Sequence, residues 1–193
     1  QLPHQSGKTL RKGRLSPMRL FDVLGPVMIG PSSSHTAGAA KIGYTAQKLL
    51  GEVPAQADIG LYGSFATTGK GHGTDRALVA GLLGMKPDDL RIPYAYQEAK
   101  KRGLEFTIDT VELRDAHPNT AVIEAWSADG KDLVMQASSL GGGRIMVNKL
   151  DGIDVNFTGM YNTLVIRNED ASGTVAAVTS ILSQLRVNVA NMS

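Results

Sequence analysis

The chain has 193 residues, 42% of them hydrophobic and 20% charged, and it contains no cysteine. That is enough for one core of ordinary domain size, and it excludes disulfides, a thiol nucleophile and any thiolate-held cluster carried by this chain alone. Twenty Lys and Arg against eighteen Asp and Glu argue against nucleic acid or a strongly acidic partner as the organising theme.

Residues 1–17 show no periodicity and hold Lys8, Arg11, Lys12 and Arg14 without an acid. They read as a flexible leader or a cloning-derived segment, with Met18 the natural start and no apolar h-region of a secretory signal. No stretch approaches ~18 apolar residues, so no membrane-spanning helix is expected. A cytoplasmic protein follows as the expectation. From Met18, RLFDVLGPVMIG suits a short buried segment broken by Gly25-Pro26 and Gly30-Pro31. Apolar Ala39, Ile42, Ala46 and Leu49 at spacings of three and four predict an amphipathic helix over 36–50, ended by Gly51. Residues 57–64 read as a buried strand, 62–75 as a polar, flexible loop, and Thr74 as the N-cap of a buried helix Asp75–Leu83 that stops at Gly84.

Pro93 opens another helical pattern to about Arg102, stopped by Gly103. Residues 104–111, 120–128, 132–139 and 144–150 are strand-like, with turns at His117-Pro118-Asn119 and Asp129-Gly130. This order predicts an α+β domain, 18–158, with an α-β-α-β-β-β core and a mixed sheet. In 159–193 the pattern restarts. Residues 161–168 read as a strand, Gly173–Leu185 as a helix with Val175, Val178, Ile181, Leu182 and Leu185 on one face, and Val187–Val189 as another strand. So short a βαβ piece is expected either to be loosely ordered or to dock on a second copy, making a homodimer.

Four motifs carry chemistry. In GPSSSHTAGAAKIG, residues 30–43, Ser32, Ser33, Ser34, His35 and Thr36 precede a helix of small residues. Free backbone N–H groups, hydroxyls and an imidazole there exceed what a cap needs, and they suit carboxylate binding with His35 as acid, base or orienter. YGSFATTGKGHGTD, residues 62–75, fails as a phosphate loop, because five residues separate Gly63 from Gly69 and Gly71 follows Lys70. Its Lys70, His72, Thr74 and Asp75 suit a small anion, or else form a surface turn in which His72 pairs with Asp75. His117 and Asn119 either line a cleft or link strands. Gly141 and Gly142, within Gly141–Gly143, imply a bulge or a close backbone approach. His35, His72, His117 and Asp75 lack the spacing of a metal site, and S-S-S-H lacks the G-x-S-x-G elbow of a self-sufficient hydrolase.

Taken together, FDVLGPVMIGPSSSHTAGAAKIG, LYGSFATTGKGHGTD, HPNTA and SLGGG, in this order, resemble the β chain of bacterial iron–sulfur L-serine dehydratase over roughly residues 19–157. Gly38-Ala39, where fused single-chain relatives have Gly-Pro, resembles the two-subunit type. NTLVIRNEDASGTVAAVTSILSQLRVNVANMS resembles the first half of an ACT domain, an amino-acid-sensing module. The fold implied is similar to the allosteric substrate-binding domain of some D-3-phosphoglycerate dehydrogenases. The resemblance implies loss of water from L-serine to aminoacrylate, which hydrolyses to pyruvate and ammonia. It also implies a [4Fe-4S] cluster held by a partner α subunit, whose open iron acts on the substrate hydroxyl while a base takes the Cα proton. Ser32–Thr36 would then lie nearest the chemistry, with no activity from this chain alone. A different class of function, a regulatory module binding serine or another small carboxylate without chemistry, uses the same loops.

Overall fold

The computed structural model describes residues 28–168, 171–190 and 192; the leader 1–17 and the segment 18–27 lie outside the described residues. Chain order begins with a π-helical turn, Ser33–Gly38, that runs directly into α1, Ala39–Leu50. Then follow β1, Gln56–Gly63; α2, Ser64–His72; and α3, Thr74–Leu82. A single 3-10 turn, Ile92–Tyr94, leads into α4, Ala95–Arg102. Five strands come next: β2, Glu105–Thr110; β3, Asn119–Trp126; β4, Asp132–Gly141; β5, Arg144–Leu150; and β6, Ile153–Phe157. The last described element is α5, Thr174–Gln184.

The six strands form one mixed sheet in the order β2-β1-β3-β4-β5-β6. Only β1 and β2 run parallel; the other pairs are antiparallel. The parallel pair needs a crossover, which α2, α3 and α4 supply, whereas β3 to β6 follow one another as a meander. Strand alternation decides which face is buried. Register places Ile59 beside Ile123 and Ile123 beside Met135, while Leu61, Ala121, Ala137 and Val147 make the next row. Both rows are buried under α1 and α3. The many alanines leave room for helices rather than for large side chains.

Close packing of α1 on α3 rests on two glycines. A Cβ on Gly43 would run into the Leu78 carbonyl, and one on Gly81 into the Ala40 carbonyl and the Tyr44 amide. Contact at backbone distance lets the helix pair seat as a single layer. The opposite sheet face carries a polar row, in which Thr120 and Ser138 hydroxyls lie 2.8 Å apart and Ser138 meets Asn148 Oδ1 at 2.7 Å.

The α+β class, the mixed sheet and the boundaries at Gly51, Gly84 and Gly103 agree with the sequence reading. Two parts of that reading are corrected. Residues 64–72 are a helix and not a flexible loop, because Pro118 supplies a carbonyl to its free amides: Ser64 N–H donates at 2.7 Å and Phe65 N–H at 3.4 Å. Neither 161–168 nor 187–189 is a strand, since no strand among the described residues pairs with them, while the helix between them forms with all of its residues short of full burial.

Candidate functional site

The site forms where the π-helical turn meets the first turn of α2. Ser32 is the N-cap of the turn, in extended conformation, and its hydroxyl accepts the His35 amide at 3.1 Å. That bond swings the His35 ring away from its own helix and toward α2. π-Helical turns are rare and occur frequently at functional sites. Nδ1 of His35 faces the Ser34 hydroxyl at 3.1 Å and the Ser32 hydroxyl at 3.4 Å. Nε2 faces Ser64 Oγ at 3.1 Å and Thr68 Oγ1 at 3.0 Å. The ring edge packs on Phe65, with centroids 5.3 Å apart, and the His72 ring lies 5.1 Å away on the other side.

Position of α2 depends on one residue. Gly63, its N-cap, has φ 59 and ψ −124, and a Cβ there would lie 2.6 Å from the Pro118 carbonyl that caps the helix. Only glycine tolerates both the backbone angles and the contact. Burial lowers the pKa of His35 first of all, the Ser64 carbonyl works against that, and the neighbouring His72 lowers it further. No carboxylate touches either ring among the described residues. The arrangement is therefore a neutral imidazole ringed by hydroxyls, able to pass or accept a proton without a standing anion beside it.

The structure brings Ser32, Ser34, His35 and His72 together and gives the other expected residues different work. Ser33 turns to the hairpin between β4 and β5, where Gly142 N–H donates to its hydroxyl at 3.3 Å. Gly141 pairs with Arg144 across that tight turn with a register shift at Ser139/Gly141, so the bulge is present. A Cβ on Gly141 or Gly142 would meet no atom within 4 Å, so the glycines serve positive φ rather than a close approach. Thr36, expected among the groups nearest the chemistry, points inward from the turn. Its side chain is buried, and its hydroxyl ties the turn to α2 by donating to the His72 carbonyl at 3.2 Å.

Thr74 is neither the N-cap, which is Gly73, nor open to a ligand, for it is fully buried against Gly69. Asp75 accepts from the Tyr96 hydroxyl at 2.7 Å, not from His72; burial first, and then this bond to Asp75, pushes the Tyr96 pKa upward. Lys70 lies in α2, and its side chain is outside the described set. Exposed His117 folds back to accept the Asn119 amide at 3.1 Å, in the same turn whose Pro118 carbonyl caps α2. Asn119 keeps one resource: its Oδ1 is buried without a partner, at the strand position opposite Gly63. The residues missed by the sequence reading are Ser64 and Thr68. Their signal was a Gly-Ser step with Thr four residues on, which places both hydroxyls on one helical face once 64–72 is read as a helix.

No group of three or more His, Asp or Glu side chains is placed to hold a metal ion among the described residues, and no helix among them is long and apolar enough to cross a membrane. Comparison with known proteins gives a consistent picture. The profile of the family described as serine dehydratase beta chain matches residues 19–150. The chain is 42% identical over 173 residues to a "Probable L-serine dehydratase, beta chain" of Bacillus subtilis (strain 168), covering 90% of this chain and 78% of that protein. It is 41% identical over 174 residues to the "L-serine dehydratase, beta chain" of Peptoniphilus asaccharolyticus, with the same coverage. Against "L-serine dehydratase 2" of Escherichia coli (strain K12) the identity is 33% over 151 residues, which is 66% of this chain and 33% of that longer protein.

Proposed function

Because the chain belongs to the serine dehydratase beta chain family, we propose that it is the β subunit of an L-serine ammonia-lyase and works with an α subunit in the cytoplasm. The reaction removes the Cα proton and the β-hydroxyl of L-serine as water, and the resulting aminoacrylate hydrolyses to pyruvate and ammonia. The single observation that carries the proposal is the hydroxyl-ringed His35, reached from Ser32 and Ser34 on one side and Ser64 and Thr68 on the other. Such a ring suits a substrate that itself carries a hydroxyl and charged groups of both signs. Neutral His35 receives or returns a proton.

A [4Fe-4S] cluster does not fit this chain's donors. There is no thiolate in the sequence and no histidine–carboxylate group of three among the described residues. The proposal therefore assigns the cluster to the α subunit and gives this chain the proton and orientation work. Residues 159–193 are assigned to a partial ACT module that seats on a second copy, and the sheet domain to the architecture of the allosteric substrate-binding domain of D-3-phosphoglycerate dehydrogenase.

Co-expression with the α subunit tests the whole reading. The purified pair is expected to turn over L-serine and the isolated chain to be inactive, while His35→Ala lowers turnover by about 100-fold or more at unchanged co-purification. If the lone chain binds serine and His35→Ala alters only regulation of the pair, the chain is a regulatory module. Sizing at two concentrations tests the second-copy assignment, and a strictly monomeric chain counts against it.

A further inference from the structure

Thr68 sits between the two imidazoles and contacts each with a different group. Its hydroxyl has one proton. The Ser64 carbonyl, 2.8 Å from Thr68 Oγ1, can only accept, so it takes that proton. With the proton committed, the Thr68 oxygen can only accept from His35 Nε2 at 3.0 Å. Nε2 is then the protonated nitrogen of His35 and Nδ1 the bare one.

The remaining hydroxyls agree with this count. Ser34 donates to Nδ1 at 3.1 Å, and Ser32, whose oxygen already receives the His35 amide, donates to Ser34 at 3.3 Å. Ser64 donates to Thr68 Oγ1 at 3.3 Å. The hydroxyl protons of Ser32, Ser34, Ser64 and Thr68 thus each have an acceptor, and the Ser64 oxygen, 3.1 Å from Nε2, shares the Nε2–H. The opposite tautomer sets a bare Nε2 against the Thr68 oxygen at 3.0 Å unless Thr68 abandons the Ser64 carbonyl. His72 obeys the same arithmetic in the other sense: its Nδ1 lies 3.2 Å from the Thr68 carbonyl, which can only accept, so Nδ1 carries the proton and Nε2 is bare.

We infer that Thr68 is the positioning residue that holds the two histidines in opposite tautomers, its hydroxyl accepting from His35 Nε2–H and its carbonyl from His72 Nδ1–H. The basic nitrogen of the site is then His35 Nδ1, on the Ser32–Ser34 side, and that of the second ring is His72 Nε2. Use of Nδ1 in serine turnover rests on the function proposed above; the tautomers themselves are a property of the free chain.

Imidazole nitrogen spectra of the full chain labelled with 15N-histidine, taken at about pH 8 and so above the ordinary histidine pKa of ~6.5, read the tautomers directly. The wild-type chain is expected to show His35 as Nε2–H and His72 as Nδ1–H. Thr68→Val keeps the shape and removes the acceptor. It should move the His35 ratio toward Nδ1–H by about fivefold, the worth of one hydrogen bond, with His72 unchanged because its partner is backbone. Thr68→Ser should restore the wild-type ratio. A wild-type His35 in the Nδ1–H form overturns the inference before any variant is made, as does a Thr68→Val chain with unaltered His35 or with His72 shifted equally. These spectra need neither α subunit nor serine, so failure of the serine reading leaves them intact, and their failure leaves the turnover of the pair to be judged by itself.

Discussion

Ile123 and Ile181 are the same residue type in two regular elements, and their fates differ. Ile123, in the middle of β3, is 0% exposed, flanked across the sheet by Ile59 and Met135 and covered by helices. Ile181, in α5, is 56% exposed, with Val175 of the same helix and Leu185 at its C-cap exposed further still. Apolarity is a condition for burial and not its cause; a second surface has to close over it. In residues 28–157 the sheet offers that surface to α1 and α3. Thr174–Gln184 forms a helix by local bonds, and no other described element closes over it to bury any of its residues.

The largest contrast should appear in amide exchange. Amides of β3 are expected to exchange about a thousandfold or more slowly than those of 174–184 at low protein concentration. Equal protection in both, in a chain that sizes as a monomer, would mean that the tail packs stably on its own domain. Substitution sharpens the same comparison. Ile123→Ala should cost about 3–4 kcal/mol in denaturant unfolding, whereas Ile181→Ala should stay within about 0.5 kcal/mol. Gly81→Ala drives a methyl into the α1 backbone and should cost about 3 kcal/mol, an effect with no counterpart in the tail. Ser138→Ala, which takes the donor from Asn148 Oδ1 while Thr120 keeps the His117 carbonyl, should cost about 1–2 kcal/mol.

The smallest effect concerns pH. The folded chain holds the His35 pKa below its ordinary 6.5, chiefly by burial. The unfolded chain therefore binds the proton more readily, so this contribution to stability is complete above that ordinary value and is lost as pH falls through it, levelling off below the lowered folded value. His35→Gln is expected to flatten that part of the stability profile measured between about pH 8 and pH 5. A profile that steepens instead would contradict the direction of the shift.

Local chemistry made much of the molecule legible in the sequence. The stripe Ala39, Ile42 and Ala46, the all-round apolar run Ala77–Leu82, the stops at Gly51, Gly84 and Gly103, and the alternation in 120–126 and 132–139 each state their structure within one element. The serine-rich segment before α1 also announced its own histidine. These signals depend on backbone conformation and side-chain spacing, which neighbours in sequence fix between themselves.

What only the tertiary structure decided lies between elements. Residues 64–72, rich in Gly and Thr, have weak helical propensity; they become a helix because Pro118, more than forty positions away, delivers a carbonyl to their first amides. The partners of His35 follow from that helix, since Ser64 and Thr68 share a face only once it is wound. Thr36 and Thr74 looked like ligands by type and turned inward by packing. Of the elements read in the tail, the helix forms and the strands at 161–168 and 187–189 do not, because a helix closes its hydrogen bonds within the segment while a strand's must be supplied by another, and none among the described residues supplies them.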